Sequence, residues 1–251
     1  MDIKTLLGLP NLLDVKKVIA VQPHPDDNEV NIAGTLLELS QRGAEIVYVT
    51  VTDGRAGAWG DVQNPNEIVA VRKKEKERAG KIIGVKKHID LGFPDGGVYS
   101  VDEVTRELVD VFRREKPEVV FSVDPWMPYE AHPDHIKVGL AVSRAMLFSN
   151  NTIIYPSASH GPWQVPQIAF YATSYPNTRV DITAHFERKI ESILAHKSQF
   201  DNETWSFVKF YFTEVASEAY SHISTETTGY AEALKVLAHL ELHSIPTTVY
   251  S

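Results

Sequence analysis

Apolar and polar positions change rhythm along the chain. Lys17–Gln22 (KVIAVQ) is a continuous apolar run closed by Pro23. A short run without alternation predicts a strand buried on both faces, as in a parallel sheet. In Asn31–Arg42 the apolar residues fall at helical spacing, and Gly43 supplies a stop. Ala44–Thr52 (AEIVYVTVT) reads as a second strand, and Ala56–Pro65 has the Gly and Pro content of a loop. Asn66–Gly84 is a long charged helix, His88–Phe93 a short strand, Val101–Lys116 an amphipathic helix capped by Ser100 or Asp102, and Glu118–Val123 another buried strand.

This alternation predicts an α/β fold: a Rossmann-like, mostly parallel sheet with helices on both faces. After residue 150 the pattern changes. Ile168–Thr173 and Thr178–Thr183 read as two strands joined by a Pro-Asn turn. Helices are expected over 184–199 and 230–242. No linker or repeat interrupts the chain, so residues 1–251 are read as one domain with a core over 17–150. Residues 151–251 complete it as a strand pair and helices. The N-terminal segment, broken by Pro10 and Asp14, reads as a helix or arm and lacks the features of a signal peptide.

Composition narrows the chemistry. The 251 residues carry a net charge of -8, which offers neither a basic face for nucleic acid nor a polybasic membrane patch. There is no cysteine, so thiolate sites and disulfides are excluded and any bound metal must take His, Asp or Glu. Absence of cysteine fits a reducing compartment, and a cytoplasmic protein is expected.

Ligands of open α/β sheets sit beyond the carboxyl ends of the strands. There the chain places "QPHPDDNEV" (Gln22–Val30), and further on "EAHPDHI" (Glu130–Ile136). Adjacent carboxylates repel and resist burial, so a cation is the natural partner of Asp26 and Asp27. His132 and His135 are three apart behind Pro133, a spacing that puts both rings on one helix face. His24, Asp27 and His135 form a two-histidine, one-carboxylate set with room for a fourth position, as in catalytic zinc sites. Zinc lowers the pKa of its water to about 7. Asp26 and His132 then stand beside the metal, as a base for the water and a stabiliser of the oxyanion or acid for the leaving amine. Asp134 can orient a histidine from behind. Taken singly, each motif is also ordinary loop and cap chemistry. Their joint placement after two strands of one sheet favours the catalytic reading.

"PHPDDNE" with a downstream "AHPDH" resembles the PIG-L/LmbE-like zinc N-deacetylases. "VTVTDG" (Val49–Gly54), "RKKE" (Arg72–Glu75), "LGFPDGG" (Leu91–Gly97) and "AHKSQ" (Ala195–Gln199) extend the likeness in order over residues 17–200. Within the family the chain looks most like the archaeal enzymes acting on diacetylchitobiose. The resemblance implies Zn2+ on His24, Asp27 and His135, Asp26 as base and His132 as oxyanion stabiliser or acid. It implies that Arg72 and Asp95 hold sugar hydroxyls, that the substrate is a small N-acetylated aminosugar, and that the protein is a homo-oligomer, a hexamer by resemblance. The chain departs from the family at Ala33-Gly34, where two glycines are common, and at Glu29, which follows Asn28.

Other residues divide less sharply. Asp95 also suits a plain turn beside Gly96 and Gly97, and Asp53 is either turn former or site lining. Trp126, Met127 and Tyr129 offer stacking faces for a sugar or filling for a core. His196 and Gln199 read as structural or supporting groups. Trp59 and Trp163 are candidates to close over a disaccharide or to bury a subunit contact. A non-catalytic, metal-dependent sugar-binding module and a deacetylase of a thiol glycoside or glycolipid are the competing functions.

Overall fold

A computed structural model describes residues 3–57, 64–156, 159–225 and 228–245. After a short N-terminal turn of helix α1 (Ile3–Leu6), the chain runs β1 (Lys17–Gln22), α2 (Asp27–Gln41), β2 (Glu45–Thr52), α3 (Pro65–Ile83), β3 (Lys87–Phe93), α4 (Val101–Glu115), β4 (Val119–Val123) and α5 (Pro133–Phe148). It continues with β5 (Gln167–Tyr171), β6 (Thr178–Asp181), α6 (Phe186–Leu194), α7 (Lys197–Phe200), α8 (Trp205–Ser221) and β7 (Ala231–Ala238). The strands form one sheet in the order β3-β2-β1-β4-β5-β7-β6. β1 to β5 are parallel, and β7 runs antiparallel to both of its neighbours.

Side-chain alternation along β1 divides the core. Val18 and Ala20 join the layer containing Ile32, Leu36 and Ile182, whereas Ile19 and Val21 join the layer of Val104, Leu108, Phe112 and Val142. Both faces of the sheet are thus apolar and covered, which is why its strands read as unbroken apolar runs. The helix ends follow local chemistry. Ser100 and Glu103 make a reciprocal capping box on α4, and Gly84 closes α3 with φ 97°. Gly34 lets α2 approach the chain after β6, because a Cβ there would lie 2.6 Å from the Ile182 side chain.

Three expectations for the C-terminal part are corrected. Residues 230–242 are not a helix but β7 followed by a single 3-10 turn. Its sequence, AEALKVLA, is rich in helix formers, and pairing to β5 and β6 overrides that propensity. The two strands expected to form a connected pair are separated by β7. The helix expected over 184–199 breaks at Ala195 and His196 into α6 and α7. α8, rich in aromatic and β-branched residues, has no counterpart in the pattern reading. Nearer the site, α2 begins at Asp27, four residues before its expected start, and so carries that carboxylate in its first turn.

Candidate active site

The sequence-marked groups meet at the carboxyl edge of the sheet. His24 and Asp26 lie in the turn after β1, Asp27 opens α2, Asp95 follows β3, and His132 and His135 lie at the start of α5. Local bonding holds each in place. The amides of Asp26 and Asp27 donate to the His24 carbonyl at 2.9 and 3.4 Å, and the His24 amide donates to Asp27 Oδ2 at 2.7 Å. Pro133 occupies the first turn of α5, and His132 caps that helix by accepting the Asp134 amide on Nδ1 at 3.2 Å. A backbone N–H can only donate, so Nδ1 of His132 is bare and its proton sits on Nε2.

Two donor clusters share His24. The first is His24, Asp27 and His135, with His24 Nδ1 3.4 Å from Asp27 Oδ2 and His135 Nε2 3.4 Å from Asp27 Oδ1. Zinc bonds of about 2.0–2.2 Å at tetrahedral angles put donor atoms roughly 3.4 Å apart, so this set suits such an ion. The second is His24, Asp95, His132 and Asp134. Its carboxylates are already engaged. Asp134 accepts Tyr99 Oη–H at 2.6 Å and the Gly96 amide at 2.8 Å, and Asp95 accepts the Ala56 amide at 3.0 Å. Both also face His24 Nε2, at 3.4 Å for Asp134 and 3.2 Å for Asp95. The second cluster therefore acts as the clamp on the outer nitrogen of His24, leaving Nδ1 for the first.

Electrostatics favour a cation at the same place. Burial opposes charge on His24, yet hydrogen bonds to Asp134, Asp27 and Asp95 outweigh it and the imidazole is pushed up to about 12. Burial likewise raises Asp27, but contacts with His135 and His24 win and hold it well below the carboxylate range. Carboxylates outnumber permanent positive charges here, and His24 and His135 are driven to supply the deficit. Asp26 differs from its neighbour. Burial dominates and raises its pKa, against the pull of Arg72, whose Nη2 lies 3.0 Å from Asp26 Oδ2. His132 is lowered, first by burial and then by the positive His24 and His135.

Arg72 is only 3% exposed and also donates to the Gly54 carbonyl at 2.9 Å. Gly57 belongs to the same arrangement, since a Cβ there would lie 2.1 Å from Arg72 Nη1. Gln199 Nε2 pins the Gly57 carbonyl from α7. Asp26, Arg72, Asp95, His132 and Gln199 bound a cavity of about 230 Å³. A larger one, about 440 Å³, lies below the N-terminal arm between Lys4, Arg42 and Arg179, so size alone does not locate the chemistry.

Two supporting groups were not singled out from the sequence. Glu130 accepts the His132 amide at 2.8 Å and faces His135 Nδ1 at 3.0 Å, and its position five residues before His135 was the available clue. Tyr99 had no signal. Asp53 pairs with Arg55 and lies 3.4 Å from the Asp95 amide, a turn role at the rim. His196 is fully buried with Nε2 3.3 Å from Glu29 Oε2, a charge contact without hydrogen-bond alignment. Trp163 Nε1 donates to the Pro117 carbonyl, so this ring is tied to the scaffold. Trp59 lies outside the described residues.

Fold and site together define a class: an α/β protein with three donors able to hold a cation at the carboxyl edge of its sheet. Residues 19–146 match the model of the PIG-L family of GlcNAc-PI de-N-acetylases, and the chain belongs to that family. It is 36% identical to the diacetylchitobiose deacetylase of Thermococcus kodakarensis, over 93% of this chain and 87% of that protein. It is 29% identical to a probable N-acetyl-alpha-D-glucosaminyl L-malate deacetylase 2 of Bacillus anthracis, over 74% and 82%. Among solved structures, the N,N'-diacetylchitobiose deacetylase of Pyrococcus horikoshii superposes with a TM-score of 0.87 at 32% identity, over 99% of this chain and 97% of that one.

Proposed function

We propose that the chain hydrolyses the N-acetyl group of an N-acetylglucosamine saccharide, N,N'-diacetylchitobiose foremost, releasing acetate. Family membership and the likeness to two diacetylchitobiose deacetylases support the reaction and the substrate class. The observation that carries the mechanism is a compact His24–Asp27–His135 donor set, whose His24 lines one cavity together with Asp26 and His132. Those three residues would hold the ion, and two imidazoles with one carboxylate suit zinc. When bound, zinc supplies a Lewis acid for the acetamide carbonyl and acidifies a water.

The remaining work belongs to side chains. Asp26 accepts the proton of the attacking water, a role that its buried, upward-shifted carboxyl suits. Arg72 fixes the orientation of that carboxylate through its 3.0 Å contact. His132 donates from Nε2 to the carbonyl oxygen as negative charge develops, because its Nδ1 is committed to the Asp134 amide. The proton taken by Asp26 passes to the departing amine. Asp134 and Asp95 hold His24 by its outer nitrogen, and Asp95 and Arg72 border the space for the sugar hydroxyls. A homo-oligomer belongs to the same reading. Phe207, Phe210 and Tyr211 of α8, from 57 to 72% exposed, provide an apolar face for subunit contact.

Acetate release is measured from a panel of acetylated aminosugars, with chelator and with zinc added back. Release from diacetylchitobiose that chelator abolishes and zinc restores is expected. Binding of these sugars without any acetate in zinc-replete buffer would establish the binding-module alternative instead.

A further inference from the structure

A second cavity, of about 290 Å³, opens on the same edge of the sheet, beyond the ends of β4 and β5. It shares the segment after β4 with the active site: Asp124 and Trp126 line this cavity, and His132, further along, lines the other. Its walls are amphipathic. Trp126 and Tyr175 are 58% and 54% exposed, so both rings offer a face to a ligand. The Trp126 indole is not loose, because it stands edge-on to Phe170 at 5.7 Å between centroids. Asp124 Oδ1 accepts the Trp126 amide at 2.9 Å. Thr173 and Ser174 add hydroxyls. The flanking loops also hold non-glycine residues in left-handed backbone, Tyr129 at φ 70° and Ala172 at φ 50°. Such conformations raise the free energy and are retained where a loop shape is needed.

Flat aromatic faces beside a carboxylate and hydroxyls are complementary to a pyranose ring, whose C–H faces are apolar and whose rim is all hydroxyl. We infer that this cavity is a second saccharide subsite. Trp126 and Tyr175 take the faces of a ring remote from the acetamide being cleaved, and Asp124 accepts from its hydroxyls. The choice of an N-acetylglucosamine oligomer as occupant rests on the deacetylase reading.

The test is a calorimetric titration of metal-loaded Asp26→Ala protein with monomeric and trimeric N-acetylglucosamine, alone and combined with Trp126→Ala or Trp126→Phe. Trp126→Ala is expected to weaken the trimer by about tenfold relative to the monomer, and Trp126→Phe, which keeps a stacking face, to restore most of that loss. Equal trimer affinity with and without the indole overturns the subsite. So does a Trp126→Ala protein whose sedimentation mass changes while its trimer affinity does not, because the ring is then a subunit contact. Acetate release by the unmodified protein on the same sugars reports separately. Trp126-dependent binding without acetate would discard the deacetylase reading and keep the subsite.

Discussion

The two ends of the sheet solve the same problem in opposite ways. At the amino edge, Glu115 at the end of α4 gathers Lys17, Lys87 and Arg114 at 3.3, 2.5 and 3.0 Å, and Lys17 also reaches Glu45 at 3.0 Å. Glu115 and Glu45 both face permanent cations, and this cluster is complete within the chain. At the carboxyl edge, Asp26, Asp27, Asp95 and Asp134 share one guanidinium, the Lys137 ammonium at 4.0 Å from Asp134, and three imidazoles, so acids outnumber permanent cations. The first arrangement is what stability alone selects. The second is unbalanced unless a further cation arrives, which marks it as a site rather than a staple.

The largest expected effect breaks the carboxyl edge where its chemistry resides. Asp26→Ala should lower acetate release by about a thousandfold while bound zinc, measured by atomic emission, stays near that of the unmodified protein. Undiminished turnover would remove Asp26 as the base. Next comes the clamp on His24. Asp134→Asn keeps the shape but weakens the hold on Nε2, and zinc affinity in a competition titration should fall by about 10–100-fold. An unchanged affinity would show that His24 needs no such support.

The amino edge should respond in stability and not in catalysis. Glu115→Gln is expected to lose about 1–2 kcal/mol in urea unfolding, with kcat and KM unaltered. Burial pushes this carboxyl up, but Lys87, Arg114 and Lys17 outweigh it and hold it at about 2, against 4.5 for the ordinary group. A depressed folded-state pKa stabilises the protein above pH 4.5, and that contribution is lost as pH falls from 4.5 through about 2. The unmodified protein should therefore show a segment of acid-dependent destabilisation that Glu115→Gln lacks. Parallel pH profiles would deny the network its role.

How much of this was legible follows from the range of each interaction. His24 and Asp27 were legible because they follow directly on β1, whose apolar run is local and unbroken, and His135 because its spacing from His132 behind Pro133 marks one face of a helix start. Glu130 was within reach of the same reasoning, since its separation from His135 fits a side chain folding back on a helix start. Tyr99 was not, because its bond to Asp134 joins the loop after β3 to the first turn of α5, 35 residues apart. β7 misled for a related reason. Ala, Glu, Leu and Lys favour a helix in isolation, and only the open antiparallel edge of β5 makes the strand the lower free energy.

The chain's linear order determined the parallel core, the acidic balance without cysteine, and the donor types available to a cation, for these depend on composition and on neighbours within a turn or two. Tertiary structure alone decided that the histidine Asp134 holds is His24, that Arg72 secures Asp26, and that β7 divides β5 from β6. Those outcomes rest on contacts between segments tens of residues apart, whose free energy exists only once the sheet has assembled.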